Sequence, residues 1–205
     1  MPSIRPARAA DVAGAYHVCL KTGHHGEDAE HLYAGDPDAL GRIYVGPYLA
    51  FERELGLILE DEAGVCGYAL AAFDSRTFYA RYENEWRPQL CRRFPAPPGD
   101  PNGWTATERV HHAYHHPDYF CPEPYDAYPS HLHIDLLPRA RGRGYGRRLL
   151  EELMDGLRRR RSPGVHLGVS PLNTRAIGFY RRLEFNELTS TGTEHDGCIY
   201  MGRAL

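Results

Sequence analysis

The sequence predicts a mixed α/β domain, because two strand patterns flank one long amphipathic helix. Residues His131 to Leu137 alternate between polar and apolar side chains, which is typical of a strand with one buried face. Val165 to Ser170 repeats this alternation. Between the two, apolar residues recur at helical spacing: Leu149, Leu150, Leu153, Met154 and Leu157. A strand, a helix and a second strand in this order predict two parallel strands joined by a right-handed crossover.

The N-terminal part of the chain carries shorter signals. Ser3 to Pro6 is predicted as a strand, and Asp11 as the N-cap of a helix that reaches Leu20. The segment from Lys21 to Asp38 is polar and rich in glycine and histidine, so we expect a loop with helical pieces.

A hairpin and a long interruption of the strand pattern follow. Apolar runs from Leu55 to Glu60 and from Val65 to Phe73 surround the turn sequence Asp61-Glu62-Ala63-Gly64, which predicts a hairpin. An insertion from Phe78 to Tyr128 then holds many of the prolines and both tryptophans. We expect this insertion to set specificity, because long loops on a rigid scaffold often carry function.

Length, charge and cysteine content narrow the class of protein. A chain of 205 residues is expected to form a single domain, 1–205, with one core. A formal net charge of -3 gives no electrostatic reason to expect nucleic acid or a membrane as partner. The five cysteines are widely spaced, and the N-terminus has no signal-peptide core. Reduced thiols and a cytoplasmic location are therefore expected.

A glycine-rich turn between the first predicted strand and the helix is the strongest site signal. It consists of Arg141, Gly142, Arg143, Gly144, Tyr145, Gly146 and Arg147. Its glycines let the backbone approach a ligand where a Cβ would collide. The helix that follows offers unpaired N–H groups and the positive end of its dipole, so this turn is predicted to bind a pyrophosphate.

The residues around the turn exclude two common phosphate ligands. A loop for nucleoside triphosphates needs Gly-Lys-Ser/Thr after its glycines, whereas Arg147-Arg148 stands here. A dinucleotide site needs an acidic residue on the next strand, and the strand from Val165 has none. Arginine–glycine runs also occur in disordered nucleic-acid-binding segments, but the ordered strand and helix on either side argue against that interpretation.

Two segments resemble the GNAT superfamily of N-acetyltransferases. The first is the spacing Arg-x-x-Gly-x-Gly at Arg141, Gly144 and Gly146. The second is a strand followed by Asn173 and then a helix with Phe-Tyr at 179–180. The resemblance implies a GNAT fold with a splayed central pair of parallel strands, acetyl-CoA as co-substrate and no metal.

The resemblance also implies the residues that contact the cofactor. They are the turn residues 141–147, the backbone amides of Leu136 and Leu137, and the side chains of Asn173 and Tyr180. One position departs from the family, because Glu184 stands where a glycine is usual. A left-handed conformation there costs a non-glycine residue about 1 kcal/mol, so we expect a distorted helix end.

A closer resemblance covers nearly the whole chain. Ile43 to Leu49, Leu59 to Leu70 and Trp86-Arg87-Pro88 look like the acetyltransferase-like C-terminal domain of animal O-GlcNAcase. In those animal domains the glycine-rich cofactor loop is lost, whereas here it is intact. The likeness implies a free-standing, bacterial-type relative that binds acetyl-CoA, and it implies no glycosidase activity.

Acetyl transfer to an amine requires a base for the amine and an acid for the leaving thiolate. Asp135 is the candidate base, because it lies on the polar face of the strand that leads into the turn. Tyr180 is the candidate acid, since the family places a tyrosine by the thioester sulfur. Both residues also have a simpler interpretation, in which Asp135 only hydrogen-bonds a substrate or loop and Tyr180 is only packed.

Aromatic and polar residues outside the turn are candidates for the acceptor pocket. They are Tyr48, Asp74, Trp86 and His133. His131 and His133 share the face of Asp135, where they either assist proton transfer or are satisfied structural groups. The histidines of the insertion, at 111, 112, 115 and 116, have zinc-like spacing, but no carboxylate or cysteine completes the set, so no metal is expected.

Two classes of function follow from the sequence. The first is an acetyl-CoA-dependent N-acetyltransferase that acts on an amine in a small molecule or peptide. The second is a catalytically weak or inactive domain that uses the same fold as a binding module. The intact turn, Asn173 and Tyr180 favour the enzyme. The sequence leaves the acceptor unidentified and a homodimer open.

Overall fold

A computed structural model describes residues 2–193 and 197–205 as a mixed α/β domain built on a seven-stranded sheet. The strands are β1 Ser3–Pro6, β2 Gly56–Asp61, β3 Gly64–Ala72, β4 Ser130–Leu136, β5 Gly164–Val169, β6 Asn186–Thr191 and β7 Cys198–Ala204. Their order in the sheet is β1-β2-β3-β4-β5-β7-β6. The helices are α1 Val12–Leu20, α2 Gly41–Tyr44, α3 Gly46–Phe51, α4 Ser75–Arg81, α5 Arg87–Arg93, α6 Ala106–His115, α7 Tyr145–Arg159 and α8 Thr174–Arg181.

The predicted parallel pair is confirmed. Strands β4 and β5 run parallel and are joined through α7, while β4 pairs antiparallel with β3 on its other side. The parallel register joins only Ser130 to Val165 and His131 to His166. Beyond His131 the two strands separate, which is the splay that the resemblance implied. A gap therefore opens at the C-terminal ends of both strands.

Helices cover both faces of the sheet. Asp135 faces α1, because its negative charge raises the pKa of the Cys19 thiol on that helix. Leu136 faces α7, because a Cβ added to Gly146 of that helix would lie 3.9 Å from the Leu136 side chain. Successive side chains of a strand point to opposite faces, so α1 and α7 lie on opposite sides. The apolar stripe predicted for α7 is confirmed, since all five of its residues are buried: Leu149, Leu150, Leu153, Met154 and Leu157.

Other predicted elements are confirmed with small corrections. The first strand and the hairpin of β2 and β3 are present, and the helix after Asp11 ends at Leu20. The Asp11 carboxylate does not cap that helix; it accepts hydrogen bonds from Arg5 and from the backbone N–H of Arg8. The insertion between β3 and β4 is helical and begins with α4 at Ser75, three residues before the predicted start.

The two C-terminal strands were not predicted. Strand β7 lies between β5 and β6 and pairs antiparallel with both. Strand β6 is the sheet edge, and five of its six residues are polar, so its alternation is weak. Within the described residues, no helix is both long and apolar enough to cross a membrane.

The end of α8 has the backbone conformation expected from the sequence. Glu184 has a φ of 61°, and the Phe185 N–H donates to the carbonyl of Tyr180 across it. This is a helix end that favours glycine. Glu184 also pairs with Arg203 at 3.1 Å, but its side chain is 81% exposed. Such an exposed ion pair offsets little of the backbone strain.

We expect Glu184→Gly to stabilise the protein by about 1 kcal/mol, because glycine removes the left-handed strain. Glu184→Ala is the matched control, since it removes the ion pair with Arg203 and keeps the Cβ. Urea unfolding of the three proteins measures the difference. An alanine variant that is as stable as the glycine variant would contradict the strain argument.

Candidate active site

The glycine-rich turn is shaped by two residues with positive φ. Gly142 has a φ of 73° and Gly144 a φ of 79°, and neither would bring a Cβ within 4 Å of another group. Arg148 donates its N–H to the carbonyl of Gly144 at 3.2 Å. The N–H groups before Arg148 belong to the first turn of α7, and N–H groups at that position have no partner within the helix. Gly146 packs closely on α8, because a Cβ there would meet Phe179 at 3.2 Å.

A cavity of about 690 Å³ lies beside this turn, in the gap between the splayed strands. Its walls come from the turn, both strands, α8 and the loop after α1. Predicted site residues that line it are His133, Asp135, Leu136, Arg141, Gly142, Gly144, Gly146, Arg147, Asn173 and Tyr180. Four arginines line it (Arg141, Arg147, Arg175 and Arg182), against one carboxylate among the described lining residues. The cavity is therefore electropositive.

Arg141 holds the turn to its surroundings. Its Nε donates to the carbonyl of Leu136 at 2.8 Å, and its Nη2 donates to the carbonyl of Gly26 at 2.6 Å. Arg175 on α8 donates to the same carbonyl, and Glu27 lies near both guanidinium groups. The loop after α1 thus bridges the two cofactor segments. Sequence reasoning missed this bridge, because no local pattern links residue 26 to residues 141 and 175.

The two backbone amides proposed as cofactor contacts differ in availability. The Leu137 N–H donates to the carbonyl of Cys66 at 2.8 Å, so it is already engaged with β3. Bonded and non-bonded pairs alternate along antiparallel strands, so the Leu136 N–H points away from β3, toward the gap. Leu136 lines the cavity, whereas the Leu137 N–H is engaged with β3 and Leu137 is not among the described residues that line the cavity.

The remaining predicted cofactor residues take different positions. Asn173 caps α8 through Oδ1, which accepts from the Ala176 N–H at 3.1 Å, and its side chain lines the cavity. Arg143 is exposed, and Tyr145 lies beneath the guanidinium of Arg148. Neither Arg143 nor Tyr145 belongs to the described lining of the cavity.

Asp135 lies near the end of β4, where the strands separate, and lines the cavity. Its Oδ2 accepts a hydrogen bond from the hydroxyl of Tyr68, its partner across the β3–β4 pair. Burial raises the pKa of Asp135 to about 6, although hydrogen bonds from Tyr68 and Thr22 and the charge of Arg141 oppose the shift. A carboxyl that titrates near neutral pH is suited to act as a base. Sequence reasoning missed Tyr68, since strand register is not visible in the sequence.

Tyr180 faces the same cavity from α8 and is buried. Burial and the negative charge of Asp135 hold the pKa of Tyr180 well above its usual range. Its hydroxyl therefore keeps its proton at neutral pH. Within the described part of the chain, that hydroxyl makes no hydrogen bond to protein. The proton is thus available to a ligand in the cavity.

A second cavity of about 490 Å³ lies on the other side of the gap. Both cavities are lined by Asp135, His133 and the end of β5, so they meet where the strands part. The outer walls of the second cavity are largely aromatic. They include Tyr44, Tyr48, Phe78, Tyr79, Tyr82, Tyr119, Phe120 and Tyr200. Five of these eight side chains belong to the insertion between β3 and β4.

The four predicted acceptor residues divide into two groups. Tyr48 and His133 line the second cavity. Asp74 instead caps α4 by accepting from the Thr77 N–H, and its other oxygen accepts from Tyr125. Trp86 donates its Nε1–H to the carbonyl of Arg42 at 2.8 Å. These contacts give Asp74 and Trp86 structural roles, and neither belongs to the described lining of either cavity.

The histidine cluster of the insertion packs the helices together. His111 bonds the carboxylate of Asp36 at 2.9 Å, and His115 bonds the carbonyl of Phe94 at 2.8 Å. In the residues that the structure describes, no three histidine, cysteine or carboxylate side chains come together as a metal site.

The fold and the site have known counterparts. The solved structure of a protein named SsHAT superposes with a TM-score of 0.88 and is 36% identical, and the match covers 99% of this chain and 98% of that chain. The model of the acetyltransferase (GNAT) family matches residues 101–185. The chain belongs to the GNAT family. It is thus a GNAT-type N-acetyltransferase.

Two further proteins are similar to this GNAT protein. O-GlcNAcase of Mus musculus is 26% identical over 204 residues, which is 99% of this chain; the chain spans 22% of that protein's length. The predicted resemblance to O-GlcNAcase is therefore confirmed. The structure of yncA from Salmonella typhimurium, solved with its cofactor acetyl-CoA, has a TM-score of 0.56 at 15% identity, covers 99% of this chain and 93% of that chain, and shares the fold.

Proposed function

We propose that this protein transfers the acetyl group of acetyl-CoA directly to an amine, with Asp135 as base and Tyr180 as acid. The observation that carries the proposal is the meeting of two cavities at the splayed strands. One cavity is electropositive and lined by the glycine-rich turn; the other is aromatic. Asp135 lines both, so a single carboxylate is within reach of an amine in one and a thioester in the other.

The residues around the first cavity fit coenzyme A. The amides at the start of α7 would hold its pyrophosphate, and Gly142 and Gly144 leave the space that a Cβ would fill. Arg147, Arg175 and Arg182 supply positive charge for its phosphates. The Leu136 N–H, which points into the gap, would donate to the pantetheine or the thioester carbonyl.

Acetyl-CoA supplies an activated acyl group whose C–S bond breaks as the C–N bond to the amine forms. Asp135 takes a proton from the nitrogen, so that its lone pair is free to attack. After the attack the nitrogen loses its second proton to solvent. The Tyr180 hydroxyl gives a proton to the departing sulfur and is later reprotonated from solvent. The products are an acetamide and free coenzyme A, and one proton is released per turnover from a protonated amine.

The alternative, a binding module without chemistry, gains no support from the site. Such a module requires neither a cavity beside the glycine-rich turn nor a carboxyl with a pKa near 6 inside it. Both features are what acetyl transfer requires.

Calorimetry with acetyl-CoA, followed by a screen of amines with detection of the released thiol, tests this function. We expect Gly144→Val to abolish acetyl-CoA binding, because a β-branched residue cannot hold a φ of 79° and would move the amides that hold the pyrophosphate.

Gly99→Val is the matched control for that variant. Gly99 also has a positive φ, at 81°, with open space around it, and it lies in the exposed loop before α6. It therefore carries the same backbone strain far from the turn and should bind acetyl-CoA normally. Unchanged affinity in Gly144→Val would refute the assignment of the turn.

A further inference from the structure

The second cavity differs from the first in the sign of its charge. No arginine or lysine is among the described residues that line it. Its carboxylates are Asp118 at the exposed rim and Asp135 at the inner end. The faces of its tyrosine and phenylalanine rings carry partial negative charge and attract cations. The cavity as a whole is therefore suited to a positively charged ligand.

A chain of hydrogen bonds fixes the direction of one hydroxyl in its wall. The Ser75 hydroxyl donates its only proton to the carbonyl of Pro129 at 2.7 Å. The Nδ1 of His131 lies 2.7 Å from the same hydroxyl, so it must be the donor there. A neutral imidazole with a proton on Nδ1 has an acceptor at Nε2. The Tyr48 hydroxyl lies 2.6 Å from that Nε2 and therefore donates to it.

His131 stays neutral in this setting. It is buried, and burial together with the neighbouring His133 and His166 holds the pKa of His131 well below its usual range. Its Nε2 is thus an acceptor at neutral pH, and the single proton of Tyr48 is committed to it. The lone pairs of the Tyr48 oxygen remain for a ligand that donates a hydrogen bond.

We infer that the second cavity binds the acceptor as a protonated primary alkylamine, and that the Tyr48 oxygen, oriented by His131, accepts one of its N–H bonds. The inference rests on the proposed function for the role of acceptor. Tyr48 is then a substrate-binding residue, while His131 and Ser75 are positioning residues. Asp118 at the rim favours entry of the cation, and Asp135 removes the proton that the nitrogen must lose before attack.

The test compares two small probes of the same shape. n-Hexylamine is protonated at neutral pH, whereas 1-hexanol is not, and binding of each is measured by ligand-detected NMR titration. We expect the amine to bind about tenfold more tightly than the alcohol, and Tyr48→Phe to remove most of that preference, as for loss of a hydrogen bond to a charged group. Tyr16→Phe, outside both cavities, is the control.

Equal binding of the two probes, or no binding of either, would overturn the inference. A second readout concerns the chain itself: ¹⁵N spectra of the imidazoles should place the His131 proton on Nδ1. Ser75→Ala should alter that tautomer balance and weaken the amine preference without changing acetyl-CoA affinity. A His131 proton on Nε2 in the wild-type protein would also refute the inference. Failure of acetyl-CoA to bind would instead refute the proposed function and leave the amine preference as measured.

Discussion

Replacing Asp135 by asparagine is expected to lower turnover of the acetylated amine by about 10²–10⁴-fold, the usual effect of losing a positioned base. In the wild-type protein, kcat/KM should rise with pH through about 6, because Asp135 becomes a base only when it loses its proton. Below that pH the rate should fall about tenfold per unit. In Asp135→Asn this rising limb of the pH–rate profile should disappear, since asparagine does not titrate. Stopped assays of released thiol between pH 5 and 8 measure both effects.

Tyr68→Phe provides a control that leaves the carboxylate in place. The Tyr68 hydroxyl donates to Asp135 and holds the pKa of that carboxyl lower than burial alone would. Its loss should therefore move the limb to higher pH and keep the maximal rate close to that of the wild type. If the rise in kcat/KM stays near pH 6 in Tyr68→Phe, or survives in Asp135→Asn, a group other than Asp135 is responsible for it.

Tyr180→Phe is expected to slow turnover by about 10²–10⁴-fold with little change in acetyl-CoA affinity. The ring still fills its buried position against Phe179 and Phe185, so the cavity keeps its shape. What is lost is the proton for the departing sulfur. An acetyl thioester donor with a more acidic thiol needs less of that help, so the rate defect of Tyr180→Phe should be smaller with such a donor.

Tyr33→Phe serves as the control for Tyr180, because Tyr33 lies outside the described lining of both cavities and is only partly buried. Its turnover should match that of the wild type. If the turnover of Tyr180→Phe also equals that of the wild type, while acetyl-CoA binds and an acceptor is acetylated, the sulfur must receive its proton from water or another residue.

The parts of the site that lie on one continuous segment could be predicted from the sequence. Asp135 and the glycine-rich turn follow one another along β4 and into α7, so period-two alternation and glycine spacing located both. The engagement of Leu137 with Cys66 could not be predicted, because it depends on the register of β3 against β4. The same register brings Tyr68 to Asp135.

The acceptor side was only half predictable for a related reason. Tyr48, Asp74 and Trp86 were chosen as aromatic or polar residues in irregular segments, and composition does not tell a cavity wall from a helix cap. Asp74 precedes α4 by one residue, so its capping role was visible in principle from the Asp-Ser-Arg-Thr sequence. The structural role of Trp86 depends on the hydrogen bond from its indole to the carbonyl of Arg42, which is far away in the chain and could not be foreseen from local sequence.

The helical insertion leaves and re-enters the sheet at neighbouring points, since Ala72 and His131 are partners across β3 and β4. It thus replaces what would otherwise be a short hairpin turn, and the entropy of closing such an excursion grows only slowly with its length. The insertion supplies much of the aromatic wall of the second cavity, yet none of the described residues that line the first cavity comes from 73–130. The insertion can therefore change during evolution, and with it the amine that is acetylated, while the acyl donor stays the same.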